Sequence, residues 1–597
     1  MTLRLFSLAL LCAAASYAAA PDGEALFKQR CATCHEGAPQ PRMPTRQEIA
    51  ARTPESVYRA MFEGAMQPQS SGLTPEEGRA IARYVTGKEF GGGGGAGTAA
   101  GKCSSAPGPL RVSDTDWNGW GDDLANTRYQ AKPGITAAEV PNLKLKWAFA
   151  FEGDTVRAAQ PTVVGNRVFV SGSNGSVYLL DASTGCTYWK YDAGAMVRGA
   201  ISIGQAGGKS VAYLGDVRAT VHALDAATGQ LLWKLKVEDH PVARITGAPV
   251  FYDGRVYVPV SSIEEASAMG PTYECCKFRG SIVALDAASG KQIWKSYSVV
   301  DPPKPYAKTP AGVQQWGPAG ASIWSAPTID TAKKVLYAAT GNSYTNVSTP
   351  TSDAILAFDL ESGSLLWSSQ ASAKDNFTMA CSGRGANCPQ DAGPDYDFGT
   401  SPILRTLPGG KRILVCGQKS GIVWGLDPDQ RGKVLWQTRV GQGGALGGIE
   451  WGDTADLENA YVAVSDLLSR GENKPGGIHA VKLTTGEKVW STPAPELHCT
   501  PGSKGCTGAQ SAAISSIPGV VFSGSVDGHF RAFSTKTGEI IWDFNTVRDY
   551  ETVNGVPGKG GSLDSAGPVI AGGMVFTNSG YGMWQGIPGN VLLAFAK

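Results

Sequence analysis

The sequence predicts an all-β propeller ring preceded by a small all-α domain. Glycine accounts for 77 of 597 residues, about 13%, where about 7% is usual. Charged residues make up only 18%, against about 25% in an average globular chain. A turn-and-tryptophan motif recurs from about residue 140 onwards, and capped helical patterns lie in the first 90 residues. This combination is typical of many short strands joined by tight turns, and it argues against a helical bundle, a coiled coil or a disordered chain.

The charge balance argues against one class of partner, the nucleic acids. The chain has 53 Lys and Arg against 52 Asp and Glu, a net charge of +1. Such a chain has no general field that would collect polyanions, so we expect no nucleic-acid partner.

Residues 1–18 have the pattern of a secretory signal peptide. Arg4 precedes an apolar run from Leu5 to Ala15, and Ser16-Tyr17-Ala18 forms a small-x-small cleavage site. The run is shorter than the roughly 18 to 20 apolar residues that a spanning helix needs. We therefore expect an exported, soluble periplasmic protein with no membrane span, from which Cys12 is removed.

A haem-attachment motif follows in residues 19–90. Cys31-Ala32-Thr33-Cys34-His35 has the spacing that lets two thiols bond the vinyl groups of one covalent haem c while the histidine ligates the iron. A zinc or redox role for CxxC is the alternative, but the adjoining histidine and the export signal favour haem c.

The sixth iron ligand is expected to be a methionine, whose thioether raises the haem potential. Met66 is the first choice because it lies in a loop between a helical stretch over residues 53–62 and a capped helix over residues 74–85. Met61 matches the apolar face of the first of these helices and is better explained as core, and Met43 is the third candidate. The order of helices and loop resembles a small class I cytochrome c.

A glycine-rich linker separates this domain from the rest of the chain. Gly91 to Gly95 is an uninterrupted glycine run, which predicts a flexible joint. We assign residues 91–110 to the linker and residues 111–597 to the propeller.

The propeller is predicted by seven copies of a turn motif that keeps Gly four residues before Trp. A tight turn followed by a strand whose Trp recurs at one fixed place is typical of propeller blades. Four copies read Asp-x-x-Thr/Ser-Gly-x-x-x-Trp, one carries an insertion and two lack the Asp; they run from Asp181 to Trp189, Asp225 to Trp233, Asp286 to Trp294, Asp359 to Trp367, Asp427 to Trp436, Thr485 to Trp490 and Thr537 to Trp542.

An eighth blade is expected from closure of the ring. The strand from Leu143 to Phe149 contains Trp147 without a turn of its own, whereas the final strand from Val591 to Phe595 has no Trp. Pairing the two supplies the missing piece, so the sequence predicts an all-β eight-bladed propeller with Trp-docking motifs.

The propeller also resembles a known enzyme family. The segment Trp120-Gly121-x-Asp123-x-x-Asn126-Thr127-Arg128-Tyr129, together with the Trp-docking turns, is similar to the pyrroloquinoline quinone (PQQ) alcohol dehydrogenases. The resemblance implies PQQ and calcium as cofactors in addition to haem c. It also implies that separate blades supply the site residues in order along the chain.

The resemblance assigns the central roles residue by residue. Trp324 matches the floor beneath the quinone, and Lys419 matches the cation beside the quinone oxygens. Asn342 and Glu265 match two calcium ligands, although Glu264 stands one residue away and remains an alternative; on a strand the two would point in opposite directions. Asp397 matches the catalytic base and lies close to the calcium.

Further positions match cofactor anchors. Arg198, Thr246 and Ser262 resemble residues that hold PQQ. The adjacent pair Cys275 and Cys276 resembles the family's vicinal disulfide, expected as a wall near the quinone, but it precedes Arg279-Gly280 instead of the Arg-Gly of an earlier blade. Taken singly, each charged residue would be explained as a solvated surface group; their ordered coincidence favours a site.

The other cysteines are expected to pair locally or to tether the linker. Cys381 would pair with Cys388, and Cys499 with Cys506. Cys103 with Cys186 would tie the segment after the linker to the first blade, and Cys416 would remain a buried free thiol.

The position of the haem domain and the C-terminal tail narrow the range of expected substrates. The N-terminal haem domain, the tail segments Asn578 to Gly582 and Pro588 to Phe595, and the Cys275-Cys276 segment are similar to the quinohaemoprotein members that oxidise polyvinyl alcohol. The expected function is oxidation of its secondary alcohol groups, with electrons passing from PQQ to haem c and to an external cytochrome c. The alternatives are another alcohol, a polyether or a sugar, and, in a different class, a non-catalytic propeller scaffold.

Overall fold

The structure, a computed structural model, describes residues 21–36, 44–50, 52–62, 66, 70, 72–90, 101–347, 349–383, 385–468, 474–500 and 502–597. The chain divides into two compact units, one up to Gly92 and one from Gly93. Within the described residues, every helix is too short or too polar to cross a membrane. The signal segment, residues 1–18, and Met43 lie outside the described residues.

The first unit is helical. Thr74 caps its last helix through a capping box, in which Glu77 N–H donates to the Thr74 hydroxyl and Thr74 N–H donates to the Glu77 carboxylate. The predicted helix start is thereby confirmed. The unit's helices are Gly23–Arg30, Ala32–His35, Arg46–Ala50, Pro54–Phe62 and Pro75–Thr86.

The second unit is a ring of eight antiparallel blades of four strands, the third of which carries an additional two-residue strand. The fold class predicted from the repeats is confirmed. In chain order the strands are Thr162–Val164, Arg167–Ser171, Ser176–Asp181 and Thr187–Asp192 in blade 1; Ser202–Ala206, Lys209–Gly215, Thr220–Asp225 and Leu231–Lys236 in blade 2; Val250–Tyr252, Arg255–Ser262, Ser281–Asp286 and Gln292–Tyr297 in blade 3, with Ala243–Arg244 added to it; and Thr328–Asp330, Val335–Ala339, Ala354–Asp359 and Leu365–Gln370 in blade 4.

Blades 5 to 8 complete the ring. Their strands are Ile403–Thr406, Arg412–Gly417, Ile422–Asp427 and Lys433–Arg439 in blade 5; Thr454–Ala455, Asn459–Ala463, Ile478–Lys482 and Lys488–Thr492 in blade 6; Ser515–Ile517, Val520–Gly524, His529–Ser534 and Ile540–Asn545 in blade 7; and Val569–Ala571, Met574–Ser579, Val591–Ala596 and Lys144–Ala150 in blade 8. Two hairpins lie outside the blades, Lys304–Lys308 with Gln314–Gly317 and Asp549–Tyr550 with Gly558–Lys559.

Blade 8 closes the ring as the sequence predicts. Its outermost strand, Lys144–Ala150, comes from the start of the propeller and pairs antiparallel with the final strand, so that Lys144 faces Ala596 and Ala150 faces Val591. On the neighbouring blade 7, Trp542 donates its indole N–H to the carbonyl of Leu143 at 3.3 Å. The first strand therefore belongs to the last blade.

The repeated Gly–Trp spacing is explained by contacts between neighbouring blades. Each motif glycine has a φ between 72° and 76°, and a Cβ at that position would lie 2.5–2.9 Å from the Trp ring of the preceding blade. Gly229, for example, lies under Trp189, whose indole N–H donates to the carbonyl of Ala226 at 3.2 Å. Glycine satisfies both demands, because it tolerates positive φ and leaves room for the ring.

Residues 117–130, here called the axial segment, hydrogen-bond to the innermost strands of six blades. Backbone bonds join it to Val163, Ile329, Leu404, Ala455 and Ser516, and the Asn118 side chain joins it to Ile203. Arg128 is 1% exposed and donates to the carbonyls of Ile514 and Trp120 and to the side chains of Gln160 and Ser515, at 2.7–2.9 Å. The family-like motif at Trp120 to Tyr129 thus ties the blades together along the ring's inner edges.

The cysteine pairing predicted from the sequence is confirmed. Disulfides join Cys103 to Cys186, Cys275 to Cys276, Cys381 to Cys388 and Cys499 to Cys506. Cys416 is a buried free thiol, and it lies 3.1 Å from the hydroxyl of Thr400. Among the described residues, the segments between the propeller strands include the short α-helix Glu264–Ser267 and the 3-10 helices Met379–Gly383 and Pro428–Gln430.

Candidate active site

The helical unit presents the groups that a covalent haem needs. Cys31 and Cys34 are free thiols one helical turn apart. His35 is 8% exposed, and its Nδ1 lies 2.7 Å from the carbonyl of Pro44. That bond orients the imidazole and leaves Nε2 as the nitrogen for a metal.

The two described methionine candidates differ in burial. Met61 is 4% exposed and belongs to the apolar core of the unit, as its place in the helix pattern predicts. Met66 is partly buried and packs against that core together with Cys31 and Ala32. The arrangement favours Met66 as the sixth ligand, and Met43 lies outside the described residues.

At the centre of the propeller unit, Asp397 is 6% exposed and its two carboxylate oxygens have different partners. Oδ1 accepts the backbone N–H of Asn342 at 2.7 Å. Oδ2 accepts Lys419 Nζ at 3.0 Å. Asp397 precedes blade 5, Asn342 follows an inner strand of blade 4 and Lys419 follows an inner strand of blade 5. Three separate segments therefore meet at the Asp397 carboxylate.

Lys419 lies between two carboxylates. Its Nζ is 3.2 Å and 3.3 Å from the oxygens of Asp395, in addition to the bond to Asp397. Burial acts to lower the pKa of Lys419, but the charges of Asp395 and Asp397 outweigh it and raise the pKa well above its ordinary value. The ammonium group is thus a fixed positive charge, and it lies 5.6 Å from the centre of the Trp324 ring.

Both amide hydrogens of Asn342 are used in hydrogen bonds to backbone carbonyls. Its Nδ2 donates to the carbonyls of Ser343 and Phe377, both at 2.8 Å, and the residue is 1% exposed. With both amide hydrogens used, the side-chain oxygen is the group that can act as a ligand.

The two adjacent glutamates occupy a short helix, not a strand as expected, and have separate environments. Glu264 is fully buried; its Oε1 accepts Tyr273 O–H at 3.0 Å and Lys277 N–H at 2.8 Å, and its Oε2 accepts Phe278 N–H at 2.8 Å. Burial and the charge of Asp397 raise the pKa of Glu265 to about 7. The charges of Glu265 and Asp397 therefore interact, whereas the Glu264 carboxylate accepts a tyrosine hydroxyl and two backbone N–H groups and lies 3.4 Å from His240 Nε2.

Two tryptophans form an aromatic corner beside these groups. The rings of Trp324 and Trp451 meet edge to face, with centroids 5.2 Å apart at 85°. A Cβ at Gly399 would lie 2.3 Å from the Trp324 ring and 2.2 Å from the carbonyl of Glu450. Glycine at this position lets the Trp324 ring approach the backbone of the next blade.

The guanidinium of Arg198 extends the corner. It lies 4.2 Å from the centre of the Trp451 ring, and burial lowers its pKa. Neither Arg198 nor the neighbouring Arg244, whose pKa burial lowers to about 10, has a salt-bridge partner among the described residues. Half-buried guanidinium groups that form no salt bridge within the described residues are suited to an anionic ligand.

The remaining residues that the sequence predicts as PQQ anchors contact neighbouring protein groups. Thr246 hydrogen-bonds to Ser261 through the two hydroxyls at 2.7 Å, and the hydroxyl of Ser262 accepts Glu264 N–H at 3.2 Å. Cys275 and Cys276 are buried in an apolar cluster with Tyr344. The Tyr344 hydroxyl bonds to Ser322, two residues before Trp324, so the apolar cluster that contains the disulfide reaches the segment that carries Trp324.

Sequence reasoning missed four groups of the site, namely Asp395, Glu450, Trp451 and Asp564. Burial and the charge of Asp564 raise the pKa of Glu450 to about 8, and Oε1 of Glu450 is buried with no hydrogen-bond partner among the described residues. Burial likewise raises the pKa of Asp564 to about 7. A usable signal existed, because Trp451 and Asp564 precede the inner strands of blades 6 and 8 much as Trp324 precedes that of blade 4.

Comparison with known families agrees with this architecture. Residues 117–439 match the family described as glucose/ethanol/alcohol dehydrogenase, beta-propeller domain, which binds PQQ. Residues 18–85 match cytochrome C oxidase, cbb3-type, subunit III, a c-type cytochrome family. The combination defines a quinohaemoprotein dehydrogenase.

Individual relatives place the chain within that class. It is 45% identical to a polyvinylalcohol dehydrogenase of Pseudomonas sp over 96% of this chain and 93% of the relative. A second polyvinylalcohol dehydrogenase, from Sphingopyxis sp. strain 113P3, is 43% identical over 96% of this chain and 92% of the relative. The chain belongs to the PQQ-dependent alcohol dehydrogenase family and is similar to its polyvinyl alcohol dehydrogenases.

A solved structure shares the fold. The quinohaemoprotein alcohol dehydrogenase of Pseudomonas putida HK5 superposes with a TM-score of 0.61 at 19% identity, covering 81% of this chain and 80% of the other. That likeness shows the fold, whereas the family matches and the two polyvinylalcohol dehydrogenase relatives show that the chain is an enzyme that uses PQQ and haem c, and the non-catalytic scaffold alternative is set aside.

Proposed function

We propose that this enzyme oxidises the secondary alcohol groups of polyvinyl alcohol to ketones. The observation that carries the proposal is the buried Asp397, held by Asn342 and Lys419 beside Trp324 in a chain that aligns over nearly its whole length with two polyvinylalcohol dehydrogenases. A carboxylate fixed by two donors beside an aromatic wall is suited to remove a hydroxyl proton from a bound alcohol.

Calcium would be held by Glu265, Asn342 and Asp397. All three offer oxygen atoms, which are the ligands that this hard cation prefers. Burial and the charge of Asp397 raise the pKa of Glu265, and a divalent cation between these carboxylates would offset the part of the shift that comes from repulsion.

PQQ would lie against Trp324, with Lys419 and Arg198 as its positive neighbours and Thr246, Ser262 and the Cys275–Cys276 disulfide as further wall residues. The guanidinium of Arg198 is half-buried beside Trp451 and forms no salt bridge within the described residues, so it is suited to the carboxylates of this tricarboxylic acid. When bound, PQQ supplies the two-electron oxidant, calcium a Lewis acid and haem c a one-electron carrier.

The chain's own contribution is to orient the alcohol and move its proton. Asp397 accepts the hydroxyl proton at a carboxylate oxygen while the C–H bond of the alcohol carbon breaks; the hydrogen of that bond and its electron pair would pass to the two-electron oxidant, which leaves a ketone. Lys419 holds the carboxylate from the Oδ2 side and the Asn342 N–H holds it from the Oδ1 side. These fixed donors keep Asp397 in place with no reorganisation during the reaction.

Cys31 and Cys34 would bind the haem, with His35 and Met66 as axial ligands. When bound, this haem would supply a one-electron carrier towards an external cytochrome c. Residues 1–18 would direct the protein to the periplasm, where the thiols of the four disulfides become oxidised.

Asp397→Asn tests the base. The amide keeps the shape and loses the basic oxygen, so alcohol-dependent haem reduction should fall by about 10²- to 10⁴-fold. Asp359→Asn, in a turn of blade 4, is the matched control and should leave the rate unchanged. A near wild-type rate for Asp397→Asn would show that the base is another group.

The substrate is tested by haem reduction with the purified holoenzyme across a panel of alcohols. Polyvinyl alcohol should give the highest kcat/KM among polyvinyl alcohol, propan-2-ol, a polyether and a sugar. A higher value for one of the other compounds would reassign the substrate and leave the enzyme class unchanged.

A further inference from the structure

The helix that carries Glu265 is fastened by an asparagine from a different insertion. Asn387 lies in the loop closed by the Cys381–Cys388 disulfide and is 3% exposed. Its Nδ2 faces three carbonyls of the segment that follows the helix, at 3.2 Å from Ala268, 3.4 Å from Gly270 and 2.9 Å from Tyr273. One side chain therefore joins the insertion of blade 3 to the insertion between blades 4 and 5.

Asn387 is itself fixed in place. The Thr378 hydroxyl donates to the backbone carbonyl of Asn387 at 3.1 Å. Ala380, in the 3-10 helix before the loop, packs into the same apolar cluster as Ala268. The disulfide and these contacts give the amide a rigid base from which to hold the neighbouring segment.

On its other side the Glu265 helix is held by Glu264. The Glu264 carboxylate accepts the Tyr273 hydroxyl and the backbone N–H groups of Lys277 and Phe278. A helix of four residues has no stability of its own. Its position, and with it that of Glu265, therefore depends on the bonds of Glu264 and Asn387.

We propose that Asn387 is a positioning residue for the calcium site. By hydrogen-bonding to the segment at the end of the Glu265 helix, it holds Glu265 opposite Asn342 and Asp397 and so sets the calcium affinity. The inference rests on the proposed function, in which Glu265 is a calcium ligand. A ligand that is already in place binds more tightly than one that must be ordered on binding. Residues that orient metal ligands typically change metal affinity by about 10- to 100-fold when they are replaced.

The test uses the full-length chain, stripped of calcium by a chelator and titrated calorimetrically with calcium chloride. Asn387→Ala should raise the calcium Kd by about 10-fold or more. Saturating calcium should then restore alcohol-dependent haem reduction, because Asn387 touches neither the proposed ligands nor the reacting groups. Asn387→Asp keeps the shape but turns a carboxylate towards three carbonyls, and it should weaken calcium binding at least as much.

Asn554→Ala is the matched control. Asn554 bridges to the backbone of Ala150 in blade 8 by a donor bond at 2.8 Å and an acceptor bond at 3.2 Å. Its replacement should lower the melting temperature without changing the calcium Kd.

An unchanged calcium Kd in both Asn387 variants, or an equal change in Asn554→Ala, would overturn the inference. Glu265→Gln separates this failure from that of the proposed site. If Glu265→Gln also binds calcium like the wild type, it is the assignment of Glu265 as a ligand that is wrong.

Discussion

At the scale of single residues, the site depends on how one backbone turn presents two carboxylates to Lys419. Asp395 adopts a φ of 64°, which is uncommon for a residue with a side chain. The turn is held because the Asp375 carboxylate accepts Asp395 N–H at 3.0 Å and Tyr396 N–H at 2.5 Å. Asp375 thus places Asp395 and Asp397 on the same side, where one ammonium group reaches both.

The axial ligand of the haem can be decided by comparing two methionines. Met66→Ala should change the haem spectrum and lower its potential, because a thioether ligand is lost. Met61→Ala should leave the spectrum unchanged and destabilise the unit by about 2–5 kcal/mol, as expected for a truncated core methionine. The measurements are absorption spectra, redox titration and thermal unfolding; a normal spectrum in Met66→Ala would transfer the role to another methionine.

At the scale of elements, the contact between a turn glycine and the Trp of the preceding blade is the repeated unit of packing. The local spacing of this motif is why the propeller and its closure are predictable from sequence. The site is less predictable, because its parts come from insertions that meet only in the folded ring. The choice between Glu264 and Glu265 depends on three-dimensional contacts that no spacing encodes, whereas the place of Trp451 before an inner strand is a signal that spacing does carry.

Gly229→Ala measures the strength of that contact. The new Cβ would lie 2.7 Å from the Trp189 ring at a φ of 72°, and we expect a loss of about 1–3 kcal/mol in the free energy of unfolding. Gly254→Ala is the matched control, since its φ is 71° and nothing lies within 4 Å of the added Cβ. Denaturant unfolding should show a clearly larger loss for Gly229→Ala; equal losses would mean that backbone strain alone explains the glycine.

At the scale of the whole molecule, the axial segment makes the ring one cooperative body. Most blades touch only their neighbours through the Gly–Trp contacts, whereas residues 117–130 bond to six blades at once. Arg128 is the centre of this arrangement, with four hydrogen bonds to two blades and to its own segment. Loss of these bonds should therefore affect the entire propeller.

Arg128→Met tests this by calorimetry. It leaves buried carbonyl and side-chain acceptors without donors, and each such group costs about 1–3 kcal/mol, so the propeller transition should move down by many degrees as a whole. Arg255→Met removes an ion pair with Glu361 at the surface and should cost no more than about 1 kcal/mol. Similar melting temperatures for the two variants would contradict a central role for Arg128.

The closure of the ring by its first and last strands has a consequence for the newly made chain. The strand Lys144–Ala150 can pair with Val591–Ala596 only after the latter has been synthesised. Until then its open edge can pair with a wrong strand. Contacts so distant in sequence also form slowly. The propeller is consequently a body whose ring closes only after the last strand of the chain has been made.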